Sequence, residues 1–206
     1  MKIVFAAIAP HPPLLLPDIG SDEDKAKVKN TIEALEELSK EFKKQNPDCI
    51  IISSPHPDWG FNVPLYFIAR NFTGEIKTYL TEAPLEPPQF FFEEGKKVYK
   101  ELDKDKTYAL IASGDLSHCL KKESPYGFHP NGPEFDKAIL ESFKKKDVEG
   151  ILNLENRFPA AGECGLRSFS FLLGFLEEAK IKWQPDVLSY EGPFGVGYLV
   201  ANLKIK

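Results

Sequence analysis

The chain has 206 residues, 42% of them hydrophobic, enough to bury a sizeable core as one domain over residues 1–206. Lys and Arg number 26 against 31 Asp and Glu, a formal net charge of −5 with no basic stripe able to neutralise a phosphate backbone, so nucleic acid is not expected as a partner. No apolar stretch reaches the ~20 residues of a membrane span, and Met1 leads into a strand-like run without a signal-type segment, so a soluble protein with no membrane partner is expected.

Lys2 to Ile8 reads as a buried strand, followed by the loop "APHPPLLLP", which holds His11 between prolines. Ser21 and Asp24 predict an N-terminal helix cap, and Val28, Ile32, Leu35, Leu38 and Phe42 recur at helical spacing until Asn46-Pro47 stops the pattern. "DCIIISS", 48–54, predicts a strand covered on both faces, and it ends in "PHP" with His56. "VPLYFIA" (63–69) and "EIKTYL" (75–80) predict strands around the turn-prone 71–74, and 90–102 predicts a helix. "TYALIASGDLSH", 107–118, adds a third apolar strand that ends in small residues and then His118. Pro133 opens a helix in which Phe135, Ile139 and Phe143 share a face, and 148–154 adds a short one. "GECGLRSFSFLLGFLEEAK", 162–180, predicts a buried helix carrying Glu163 at its N-terminus, and the closing "PDVLSYEGPFGVGYLVANLKI" predicts two antiparallel strands. This alternation implies an α/β fold, a single domain with a mainly parallel central sheet flanked by helices. The 17 prolines gather in clusters, among them Pro10, Pro12, Pro13 and Pro17, then Pro55 and Pro57, then Pro84, Pro87 and Pro88; each is a loop stiffened by fixed φ.

The same theme, apolar strand then rigid loop then histidine, occurs three times, and in open α/β sheets ligands bind beyond the C-terminal strand ends. If the three strands are near neighbours, His11, His56 and His118 meet at one edge. Two histidines and a carboxylate make the donor set of non-haem iron sites. Glu163 is the leading acid, alone in the uncharged stretch "FPAAGECGLRSF" and favoured in its ionised form by a helix N-terminus. Plainer readings stand beside these: a histidine next to proline is commonly a loop residue bonded to backbone, Glu163 caps a helix, and Cys164 is either a buried thiol or a soft ligand in place of the acid. His129, in "PYGFHPNGP", is a loop residue or a further ligand, and Asp115 orients an imidazole or satisfies a turn. Phe61, Tyr126 and Phe128 are candidate walls of an aromatic pocket. Cys49, Cys119 and Cys164 share no CxxC spacing, which argues against disulfides or a zinc ribbon and fits a reducing cytoplasm.

"APHPPLL", "SSPHP", "SGDLSH", "GECG" and "YEGPFGVGYLVA", in this order along the chain, resemble the class III extradiol ring-cleavage dioxygenases of the LigB type, in particular a small subunit-B-like branch related to the MEMO proteins. The resemblance implies Fe(II), with zinc or manganese as alternatives, held by His11, His56 and Glu163, and His118 as acid/base toward a substrate hydroxyl. It implies a catechol-type aromatic and dioxygen as partners, and it allows a homo-oligomer. The MEMO proteins match instead through His118 and Cys164, which implies a metal- or ligand-binding protein without ring cleavage.

Overall fold

The computed structural model describes residues 1–82 and 86–206, so Pro84 of the third proline cluster lies outside the described residues. Among these residues six strands, β1 (Lys2–Ala9), β2 (Cys49–Ser54), β3 (Glu75–Leu80), β4 (Thr107–Ser113), β5 (Trp183–Glu191) and β6 (Tyr198–Ile205), form one sheet in the order β3-β2-β4-β1-β6-β5. The pairs β2–β3, β2–β4 and β1–β4 are parallel, whereas β6 runs antiparallel to β1 and to β5. β4 therefore inserts between β1 and β2, and the C-terminal ends of these three strands stand side by side.

Among the described residues eight α-helices flank the sheet: α1 (Asp22–Lys27), α2 (Lys29–Gln45), α3 (Trp59–Ile68), α4 (Pro88–Glu101), α5 (Asn131–Lys145), α6 (Val148–Leu152), α7 (Leu154–Arg157) and α8 (Leu166–Glu178). Alternate strand residues supply two cores. Ile3, Ile8, Ile51, Leu110 and Leu199 pack against α4 to α8, whereas Phe5, Ile50, Ile52, Ile111 and Val200 pack against α2 and α3. Strands buried on both faces read as continuous apolar runs, which is why β2 is apolar at every early position. Each such isoleucine or leucine, fully buried, contributes about 1.5–3 kcal/mol.

Two local expectations are corrected. The run 63–69 is not a strand; its residues form most of α3, which presents Val63, Pro64 and Ile68 to the core. A short apolar run cannot be assigned by periodicity alone, and α3, packed on the sheet beside α2, lacks the polar face that would have marked it as a helix. The helix expected from Ser21 onward is broken at Val28, whose φ of −114° and ψ of 19° separate α1 from α2, although Ser21 and Asp24 form the capping box anticipated. Among the described residues no helix is long and apolar enough to cross a membrane.

Candidate metal centre

His11 follows β1, His56 follows β2, and Asp115 and His118 follow β4, so the strand order alone brings four donors to one edge. The fifth comes from the loop before α8. One donor atom each from His11, His56 and Cys164 lie within 4.8 Å of one another, and so do those of Asp115, His118 and Cys164. The two groups share the thiol of Cys164.

His11 is held rigidly. Its ring stands edge-on to that of His56, centroids 5.3 Å apart, and its backbone N–H donates to Asp115 Oδ1 at 3.1 Å. Ser113 Oγ donates to the carbonyl of Gly60 at 2.5 Å and lies 3.0 Å from His11 Nδ1. A hydroxyl has a single proton, and a carbonyl can only accept, so Ser113 must accept from Nδ1–H. That fixes the tautomer with the lone pair on Nε2, which points to Cys164 Sγ at 3.8 Å. The carbonyl of Gly60 is available because Pro64, four residues on in α3, has no N–H to bond it. Burial, reinforced by the nearby His56, lowers the His11 pKa to about 3, so the imidazole stays neutral and able to ligate.

The loop after β4 and the loop before α8 are zipped together by backbone bonds: the N–H of Gly165 donates to the carbonyl of Asp115 at 3.0 Å, and that of His118 to the carbonyl of Gly162 at 3.1 Å. Close approach requires glycine here. A Cβ on Gly114 would stand 2.2 Å from the Cα of Gly165, and Gly162 has a φ of +63°, which side-chain-bearing residues rarely adopt. The glycines of "SGDLSH" and "GECG" thus set the distance that lets Cys164 face the histidines, and the N–H of Asp115 points at its sulfur at 3.3 Å.

Glu163 does not join them. Its carboxylate accepts the N–H of Leu166 at 2.6 Å at the start of α8, and Oε1 lies 3.8 Å from Arg167. Cys164 turns toward the histidines, whereas Glu163 bonds the first turn of α8. Burial pushes its pKa up to about 7. His129 also stays apart, exposed, with Nδ1 accepting the N–H of Asn131 at 3.1 Å. Of the proposed aromatic walls, Phe61 packs with the α2–α3 core, Phe128 is exposed, and Tyr126 lies against His118 with ring centroids 5.5 Å apart.

His118 Nε2 is buried without a hydrogen-bond partner among the described residues, and burial lowers its pKa. An orphaned ring nitrogen beside Asp115 and Cys164 is costly unless a ligand meets it. Asp115 is itself buried, which raises its pKa to about 6, and burial raises the Cys164 thiol as well. A bound cation would reverse both shifts. A transition metal fits this set of imidazole, thiol and carboxylate donors, all pre-placed and short of positive charge. A pocket of about 390 Å³ opens beside His56 and Cys164, walled by Phe158 and Pro159, with Arg167 and Glu163 at its side. Thr81 also lines it, with its Oγ1 turned into the protein and without a hydrogen-bond partner among the described residues. The placement of Ser113, Thr81 and Arg167 beside the donors and the pocket carries no signal in the sequence, since each depends on contacts across the fold; only the small residues preceding "GDLSH" mark Ser113 as the end of a buried strand.

The class these features define is an α/β protein with a candidate metal site at the C-terminal ends of its parallel strands. Residues 57–201 match the family described as the catalytic LigB subunit of aromatic ring-opening dioxygenase, and the chain belongs to that family. It is 30% identical to Protein CA_C1420 of Clostridium acetobutylicum over 268 aligned positions, which cover 96% of this chain and 56% of that protein. The chain thus spans little more than half the length of this relative. In fold it is similar to the uncharacterized protein JW3007 of Escherichia coli K12, with a TM-score of 0.52, 13% identity, and 97% and 99% of the two chains covered.

Proposed function

We propose that the protein is a metal-dependent oxygenase-type enzyme that opens the ring of a catechol-type aromatic with dioxygen, using a metal held by His11, His56 and Cys164. The observation that carries this reading is the convergence of those three donor atoms within 4.8 Å, in a member of a ring-opening dioxygenase family. When bound, the metal supplies Lewis-acid and electron-transfer chemistry. The chain's own residues do the rest. Ser113 holds the His11 tautomer, and the proline loops reduce the entropy that the histidines lose on holding a ligand. His118, kept neutral by burial, takes the proton of a substrate hydroxyl at Nε2. The pocket beside Cys164 accepts the apolar ring against Phe158.

A second reading has its own support. The thiol of Cys164 stands where the ring-cleavage pattern expects a carboxylate, and a soft sulfur donor suits zinc or copper(I) as well as iron. Under that reading the site binds metal and a small ligand without ring cleavage. One experiment separates them: protein reconstituted anaerobically with Fe(II) is exposed to oxygen and a panel of substituted catechols. Oxygen uptake with a yellow ring-fission product is expected; tight metal binding with neither signal across the panel overturns the enzymatic reading in favour of the second.

A further inference from the structure

On the opposite face of the sheet from α8, α2 and α3 enclose a second cavity of about 520 Å³ with the loop that follows His11. Its lining is unusual for a chain of net charge −5: Lys25, Lys40, Lys43 and Arg70 against a single acid, Glu36. Among the described residues none of these four cations lies within 4.0 Å of a carboxylate oxygen, whereas Lys27 on α1 and Lys29 and Lys44 on α2 are each paired. The floor is apolar and aromatic, built from Leu15, Pro17, Ile32, Tyr66 and Phe67. The guanidinium of Arg70 lies over the ring of Tyr66, 4.9 Å from its centroid, which steadies the planar fork that anions bind best.

Cations without a carboxylate partner around an apolar concavity call for an anionic head on an apolar body. We propose that this cavity binds a small phosphate monoester with an aromatic or similarly apolar ester group, apart from the metal centre. Three positive charges in excess favour a dianionic phosphate over a monocarboxylate. A concave floor with two rings favours a small molecule over an extended polyanion. Lys25 ties the cavity to the metal-site loop, because its ammonium donates to the carbonyls of Leu14 and Leu16, just beyond His11.

The test uses phenyl phosphate, inorganic phosphate and phenol as probes, titrated into the whole chain by calorimetry with and without added zinc. Phenyl phosphate is expected to bind at least about tenfold tighter than either part alone, because both contacts form together. The combined variant Lys40→Glu and Arg70→Glu, both exposed positions, is expected to weaken it at least about tenfold while thermal unfolding is unchanged. Equal affinity for all three probes, indifference to the charge reversals, or binding that depends on zinc would each overturn the proposal. So would displacement of phenyl phosphate by phosphatidylcholine vesicles containing phosphatidic acid, which would assign the cations to a membrane surface.

Discussion

His11 Nε2 stands 3.8 Å from Cys164 Sγ, although 153 residues separate them in the chain. Nothing but the fold brings them together, and the contact states which of two adjacent residues, Glu163 or Cys164, faces the histidines. Cys164→Ser replaces a soft donor with a poor one, so bound zinc after dialysis should fall from near stoichiometric to little above background. Glu163→Gln keeps an oxygen for the N–H of Leu166 and should leave metal content unchanged. Loss in the second variant with retention in the first would reverse the assignment of the third ligand.

Ser113 does not touch the metal position, yet it decides which nitrogen of His11 presents a lone pair. Ser113→Ala removes that constraint and should weaken metal affinity about 10–100-fold, the usual cost of losing the partner behind a ligating imidazole. It also leaves the buried carbonyl of Gly60 unpaired, which costs about 1–3 kcal/mol of stability. Nitrogen chemical shifts of the His11 ring report the tautomer directly; an unchanged shift with unchanged affinity would refute the relay from Gly60 through Ser113.

Much of this arrangement is legible in the sequence, and the remainder fails to be for definite reasons. β1, β2 and β4 are apolar on both faces and end in small residues or proline, so the strand, loop and histidine theme survives any detail of packing. That β4 lies between β1 and β2 is a non-local fact, as is the encounter of Gly114 with Gly165. α3 escapes detection because its apolar surface is nearly continuous and Pro64 sits inside it, a combination that argues for an interrupted strand until the bond from Ser113 to Gly60 is seen. The choice between Glu163 and Cys164 turns on one peptide's orientation, which residue types alone do not specify.

Gly114→Ala tests the close approach itself. The added methyl would meet the Gly165 backbone rather than a yielding side chain, so the two loops must part. Overpacking of this kind costs about 1–3 kcal/mol, and the shift should separate Asp115 and His118 from Cys164. The expected result is a lowered unfolding temperature together with reduced metal affinity. A variant that binds zinc normally would show that the loops are not held at this distance for the sake of the site.

His118 distinguishes holding a metal from using it. It lies outside the His11, His56 and Cys164 group, so His118→Ala should retain metal. If the protein turns over a catechol, the same variant should lose about 10²–10⁴-fold in rate, the range for removing a positioned acid/base. Metal analysis and oxygen uptake on one preparation check both halves.

Away from the donor groups, Asp136 is almost wholly buried on α5, where Oδ1 accepts the N–H of Ser117 at 2.8 Å and Oδ2 the hydroxyl of Tyr190 at 2.7 Å. Burial raises its pKa to about 7, against the opposing pull of those two bonds, from an ordinary value of 3.8. A carboxyl raised on folding is protonated in the folded state and ionised in the unfolded one between those values. The folded state therefore holds the extra proton, and stability falls as pH rises from about 3.8 to about 7. The fall amounts to about 1.4 kcal/mol per pH unit across that window, a few kcal/mol in all. Asp115 and Glu163 are raised by burial too and add slope of the same sign, so the contribution of Asp136 is isolated by Asp136→Asn, whose amide keeps an acceptor for Ser117 and a donor for Tyr190. Urea unfolding at pH 5 and pH 8 should show the variant less sensitive to pH than the parent, with its gain at pH 8. Parallel pH profiles for the two proteins would mean that Asp136 ionises in the folded chain as freely as in the unfolded one.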